Sequence, residues 1–294
     1  MFDKKITKRY IELMEDENKT YEDVQNFIYV NRPNCLYRYR TVEFIESETI
    51  GGLIKISQPS VYNDPFDCGF YIDSEKYMND RKWICNQNLL FMGNTADMKE
   101  MFQKSINKIE LEYKEENYFT CFSEENNNPL MWAHYADSHK GICIEYDYDK
   151  IPKEIKQLIF PIIYKEKRYD ATQLLAYHNK NLARNPSFYK SSMWRYEKEW
   201  RFRIDRTEID SIKNKSVKEI NSESHIFLDL SSAIKSIYFG MNFNFNNKEI
   251  TEYLKKLQKH AEKNNITLYR MIPLNHSKYG LRVEVIEDVT SVLA

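Results

Sequence analysis

The sequence predicts an α+β fold: a mixed β-sheet with flanking helices, preceded by a helical N-terminal extension. Apolar residues recur at helical spacing near residues 4–30, 73–116 and 247–263, while shorter runs between them alternate apolar and polar residues as strands do. The helical stretch 247–263 lies between two such runs, a β-α-β order that favours a parallel pair, whereas the last run alternates as an antiparallel edge strand. No fixed-period repeat or shift of composition divides the chain. Residues 1–32 are therefore expected to form the extension and residues 33–294 a single α+β domain.

In order, Ile6, Tyr10, Leu13, Met14, Val24, Phe27 and Ile28 predict two helices interrupted by the polar EDENKTYED. After Pro33 the period changes to two, so that Leu36, Arg38 and Arg40 share one face of a strand and Cys35, Tyr37 and Tyr39 the other. A short helix near Val42–Glu48 and a Gly51-Gly52 turn follow. The stretch LIKISQPSVYNDPFDC reads as a strand running into a turn-rich loop. NYFTCFSE is a strand, Asn128 and Pro129 open a helix over LMWAHYAD, and Gly141 leads into the strand ICIEYD. Further strands are expected at FPIIYK, EWRFRI, HIFLDL, KSIYFG, ITLYRMI and GLRVEVIED.

Composition narrows the function classes. A chain of 294 residues, 42% hydrophobic, has ample core, and a formal net charge of -1 gives no global attraction to nucleic acid or membrane. The five cysteines are odd in number and form no C-x-x-C pair, which argues against a disulfide framework and a common zinc site and for buried thiols in a reducing cytoplasm. No apolar run approaches the length of a membrane span, so no membrane partner is expected. The phosphate loop, the dinucleotide-binding glycine motif and the nucleophile elbow are absent from the sequence.

Three constellations remain. In WRYEKEWRF and the residues after it, Glu197, Glu199, Arg201 and Arg203 share one strand face and Trp200, Phe202 and Ile204 the other. The bland reading is a solvated face of alternating ion pairs, each contributing about 0.2–1 kcal/mol. Trp194 and Tyr196 nearby favour a cleft instead. In SVYNDPFDC, the Asn63-Asp64-Pro65-Phe66 turn presents polar groups beside a ring. In NPLMWAHYADSHKG, helical spacing places His134 beside Asp137 as an acid/base pair, against the plainer reading of a packed histidine.

Together LYRYR, ISQPSVYNDPFDC, FTCFSEENNNPLMWAHYADSHKGICIEYD, YEKEWRF and IYFG resemble a bacterial family catalogued as a domain of unknown function, over about Leu36 to Gly240 and beyond. More loosely, the order of blocks is similar to ADP-ribosyltransferases. That resemblance implies a bent or split sheet clamping NAD as substrate, without a metal. It matches Arg38 to the first-strand arginine, Ser57 or Ser123 with Tyr62 or Tyr135 to the serine and aromatic, and Glu199 of Glu197-Lys-Glu199 to the catalytic glutamate. The sequence departs from the family in lacking a Ser-Thr-Ser triplet.

The implied function is an NAD-dependent ADP-ribosyltransferase, or an NAD glycohydrolase, acting on a protein or nucleic-acid acceptor as a toxin or antiviral-defence effector. Glu199, Glu197 and His134 are the catalytic candidates; Arg38, Tyr39, Ser57, Asn63, Phe66 and Tyr135 are the NAD-binding ones. Two rivals stand beside it: a non-catalytic nucleotide- or nucleic-acid-binding module using the arginines and rings, and a magnesium-dependent nuclease using Asp64, Asp67, Glu197 and Glu199.

Overall fold

A computed structural model describes residues 2–16, 18–79, 96–172, 185–212, 217–220, 225–274 and 278–289. Among these residues the strands are β1 (Cys35–Arg40), β2 (Leu53–Ile56), β3 (Phe70–Tyr71), β4 (Asn117–Ser123), β5 (Ile142–Asp147), β6 (Ile159–Pro161), β7 (Ile163–Lys165), β8 (Tyr169–Asp170), β9 (Tyr189–Ser191), β10 (Glu199–Asp205), β11 (Val217–Ile220), β12 (His225–Asp229), β13 (Ile234–Phe239), β14 (Thr267–Pro273) and β15 (Leu281–Val285). Eight of them form one mixed sheet in the order β15-β14-β13-β5-β1-β4-β10-β6. Only β13 and β14 in it run parallel, the pairing that the β-α-β order favours. The intervening helix, Thr251–Asn264, buries Tyr253, Leu254, Leu257 and Ala261 at helical spacing and ends at Asn265 in the left-handed conformation. A smaller antiparallel sheet, β11-β12-β2, lies beside the large one.

Both N-terminal helices are capped by their sequence. The Asp3 carboxylate accepts from the Lys5 and Ile6 amides ahead of Lys4–Glu15, and Thr20 and Asp23 form a capping box for Tyr21–Asn31. Tyr10, Leu13, Met14, Val24 and Ile28 enter the main core. The Tyr21 ring lies against Phe160 of β6, and Gln25 donates to the Gln157 carbonyl at 2.6 Å, so the helices cover the β6 end of the sheet.

Some expected elements differ. FPIIYK is two short strands: Pro161 ends the ladder to β10, the Ile162 amide donates to the Glu199 carbonyl at 2.9 Å, and β7 then pairs in parallel with β9. In the expected helix over 73–116, Ser74–Asn79 and Ala96–Glu116 are helical, and 80–95 lie outside the described residues. The helix after Asn128 spans Pro129–Tyr135 and stops short of Asp137, because Asp137, Ser138 and His139 take φ of 44°, 53° and 68°. That turn is seated on Gly240, where a Cβ would lie 2.0 Å from the His139 carbonyl oxygen. The ring stacked on Trp132 is His139, with centroids 6.3 Å apart, and not His134.

The solvated-face reading of EWRFRI is overturned. Glu199, Arg201 and Arg203 are as buried as Trp200, Phe202 and Ile204 on the opposite face. Among the described residues, Cys68 and Cys143 are buried, Cys35 and Cys121 half-buried, and all four are free thiols; Cys85 lies outside the described residues. No helix among the described residues is long and apolar enough to cross a membrane.

Candidate active site

The site begins where the large sheet forks. β1 and β4 share one paired position, Tyr37 with Ser123. Farther back along β4, Phe119 exchanges both backbone hydrogen bonds with Ser57, at 2.9 and 2.8 Å, and so turns toward β2. Arg38 reaches across the gap: its Nη1 donates to Thr120 Oγ1 at 2.5 Å and to the Cys121 carbonyl at 3.2 Å. These bonds satisfy polar groups of β4 that have no strand partner there. A cleft of about 580 Å³ opens in the fork, lined from both branches.

Eight of the nine sequence-predicted residues line this cleft: Arg38, Tyr39, Ser57, Asn63, His134, Tyr135, Glu197 and Glu199. Phe66 does not. It is 66% exposed on the far side of its turn, and Tyr62 supplies a ring to the cleft instead. Asp64 explains the difference, since its Oδ1 accepts the Phe66 amide and closes the turn with Phe66 outward. His134 stands at the exposed rim against the ring of Tyr196, 6.1 Å between centroids. With the helix ended at Tyr135, Asp137 no longer shares a helical face with His134, and the expected acid/base pair is not formed.

One end of the cleft is acidic. Glu197 closes a 3-10 turn, Ser192–Glu197, and β10 starts at Glu199; Lys198 between them has φ 46°. This left-handed residue turns both carboxylates toward Lys190 at the middle of β9. The Lys190 Nζ lies 2.5 Å from Glu197, 2.9 Å from Glu199 and 3.8 Å from Asp67. Arg201 is fully buried and grips Asp67 with two parallel bonds of 2.9 and 2.8 Å, donates from Nε to Glu199 at 2.8 Å and reaches the Ser187 carbonyl at 2.7 Å. The Tyr135 hydroxyl donates to Glu197 at 2.5 Å.

The electrostatics separate the two glutamates. Burial opposes ionisation of Glu199, but Arg201 and then Lys190 overcome it and hold the carboxyl well below the usual carboxylate range. Burial, and then the neighbouring Glu199 charge, push Glu197 up to about 7, against the opposing pull of Lys190. Three carboxylates facing two cations leave one negative charge in excess, which a proton on Glu197 removes. A buried carboxylate kept charged beside one poised near neutrality is the division that acid/base chemistry uses. Burial also raises Cys121 and Cys143, which disfavours the thiolate form that a cysteine nucleophile needs.

The other end is basic. Arg38 and Arg40 both bind the single carboxylate of buried Glu48, at 2.9 and 2.8 Å, and Lys55 from β2 also faces the cleft. Two guanidinium groups share one carboxylate, and Lys55 makes no ion pair among the described residues. Burial and the like charge of Arg38 lower Arg40 to about 10. Its guanidinium carbon lies 3.8 Å from the centroid of the Phe44 ring.

Sequence reasoning missed Lys190 and the Asp67–Arg201 grip. Lys190 lies in FYKSS without a motif, and the 3-10 turn after β9 together with the parallel pairing of β7 with β9 brings it to the glutamates. The NDPFDC block did single out Asp67's segment. Among the described residues, no group of three His, Cys, Asp or Glu side chains is arranged to hold a metal ion. The carboxylates that the nuclease reading places around magnesium surround the Lys190 ammonium, while Asp64 is engaged in its own turn.

Residues 131–202 match a family model described as Protein of unknown function (DUF2971). The match runs from the helix that carries His134 to the first half of β10, a narrower span than Leu36 to Gly240. No curated protein matches the chain. No solved structure matches it either.

Proposed function

We propose that this cleft binds NAD and cleaves the bond between nicotinamide and ribose, passing ADP-ribose to a macromolecular acceptor or to water. The observation that carries the reading is the polarity of the cleft: a charged, buried Glu199 at one end and, at the other, three cations, Arg38, Arg40 and Lys55, with one shared carboxylate, Glu48. NAD has the matching polarity, with a cationic nicotinamide-ribose at one end and a diphosphate further along. Glu199 faces the positive charge that develops on the ribose as the bond opens, and nicotinamide leaves as a neutral base with the bonding electron pair. The acceptor then bonds to the same carbon. Its proton goes to the ionised form of Glu197, which near neutrality is present beside the protonated form, so that the group can take up a proton and release it again. The Tyr62 and Tyr135 rings offer stacking faces, and the arginines and Lys55 hold phosphate oxygens.

Purified protein incubated with NAD and candidate protein, DNA and RNA acceptors is expected to release nicotinamide, and Glu199→Gln to stop it. No nicotinamide release from the wild-type protein under any of these conditions removes the reading. Salt-sensitive binding of nucleotides or nucleic acid that survives Glu199→Gln and weakens in Arg38→Ala supports the non-catalytic binding module in its place.

A further inference from the structure

The two edges of the large sheet differ. β6 has three buried residues, ends in Pro161 and lies under the N-terminal helices. β15 has five residues, no proline, and is exposed from Arg282 onward. Natural sheets protect an edge with prolines, bulges, short strands or covering elements, because unpaired backbone groups invite another strand. Among the described residues nothing pairs with the outer side of β15.

Its side chains match a copy of themselves. Val283 and Val285 are 42% and 57% exposed. They lie opposite Met271 and Tyr269 of β14, on the face where Met271 is buried and Tyr269 stacks on Tyr238 at 4.9 Å. An apolar sheet face therefore runs to the edge and stops without cover among the described residues. Arg282 and Glu284 lie on the opposite face, and neither makes an ion pair among the described residues. An antiparallel two-fold pairing centred on Val283 sets Arg282 of each copy opposite Glu284 of the other, and Val283 opposite Val283. Every cross-strand charge contact is then attractive, and the apolar face continues across the joint.

We propose that two copies of this chain pair through β15, edge to edge and antiparallel about Val283, into one continuous sheet. The proposal is independent of the activity of the cleft. Sedimentation equilibrium of the full chain is expected to give twice the 35.5 kDa chain mass. Arg282→Glu places like charges opposite each other twice and should weaken the dimer at least tenfold, whereas the doubly reversed Arg282→Glu/Glu284→Arg should restore it. Val283→Lys should also yield monomer. Circular dichroism melts of each variant verify that it is folded, and both charged positions are exposed, where substitution is tolerated. A monomeric wild type, an assembly larger than two, a dimer indifferent to Arg282→Glu, or a double variant no better than the single one overturns the proposal.

Discussion

The acidic and basic ends of the cleft are built from the same kinds of residue and handle charge in opposite ways. At the β10 end, Asp67, Glu197 and Glu199 face Lys190 and Arg201, and the raised pKa of Glu197 lets protonation remove the one surplus charge. At the β1 end, Arg38 and Arg40 share Glu48, and Lys55 adds a further positive charge. Arginine has no accessible neutral form with which to remove that surplus. The first cluster nearly balances its charge within the protein, whereas the second keeps a positive surplus, with Glu48 between its arginines and the Glu43 charge acting on Arg40. One end is thereby suited to chemistry and the other to binding.

The sharpest way to break this comparison is to remove Arg201. Arg201→Met strips Asp67 and Glu199 of their main partner in a fully buried setting and should cost about 3–5 kcal/mol of stability. Denaturant unfolding measures it, and a loss below about 1 kcal/mol means that water or Lys190 compensates. Glu199→Gln keeps the shape but loses the charge. It should slow nicotinamide release by about 10²–10³-fold, on the scale of removing one electrostatic stabiliser, with the fold intact.

The proton on Glu197 gives a third prediction. The native state retains that proton between the unfolded value near 4.5 and about 7, where the unfolded chain has released it, so stability should fall as pH rises through this window. The slope is at most about 1.4 kcal/mol per pH unit for one proton. Glu199 acts with the opposite sign: its contribution is present above 4.5 and is lost as pH falls further. Subtracting the pH profile of Glu197→Gln from that of wild type isolates the first effect, and parallel profiles would falsify it. At the basic end, Arg40→Met should weaken ADP binding about tenfold, near 1.4 kcal/mol. Because Arg38 repels Arg40, it should cost under about 1 kcal/mol of stability. Lys55→Ala should have the smallest effect, a few-fold loss of ADP affinity with a shallower salt dependence.

The sequence made most of the fold legible, because strand alternation and helical spacing are local. Arg38 and Arg40 share a face as read, β13 and β14 are parallel, and β15 is the antiparallel edge. Burial of β10 on both faces was hidden, since four charged residues on one strand face have the pattern of an exposed strand until their partners are known. Those partners, Asp67 and Lys190, lie 134 and 9 residues from Arg201 and Glu199 respectively, and no spacing rule connects them. Phe66 and the His134–Asp137 pair failed for local reasons: an Asx bond turned one ring outward, and three left-handed residues ended the helix early.

The single rung between β1 and β4 also has a mechanical meaning. The large sheet is two leaves, β15-β14-β13-β5-β1 and β4-β10-β6, joined at Tyr37 and Ser123. Opening the angle between them would strain only one ladder position of backbone pairing, while the ladders within each leaf stay intact. The backbone joint is thus narrow, and the two leaves are held together mainly by side chains: Arg38 on β4, Tyr39 on the Glu125 carbonyl, and the Phe122 and Tyr146 rings in the shared core.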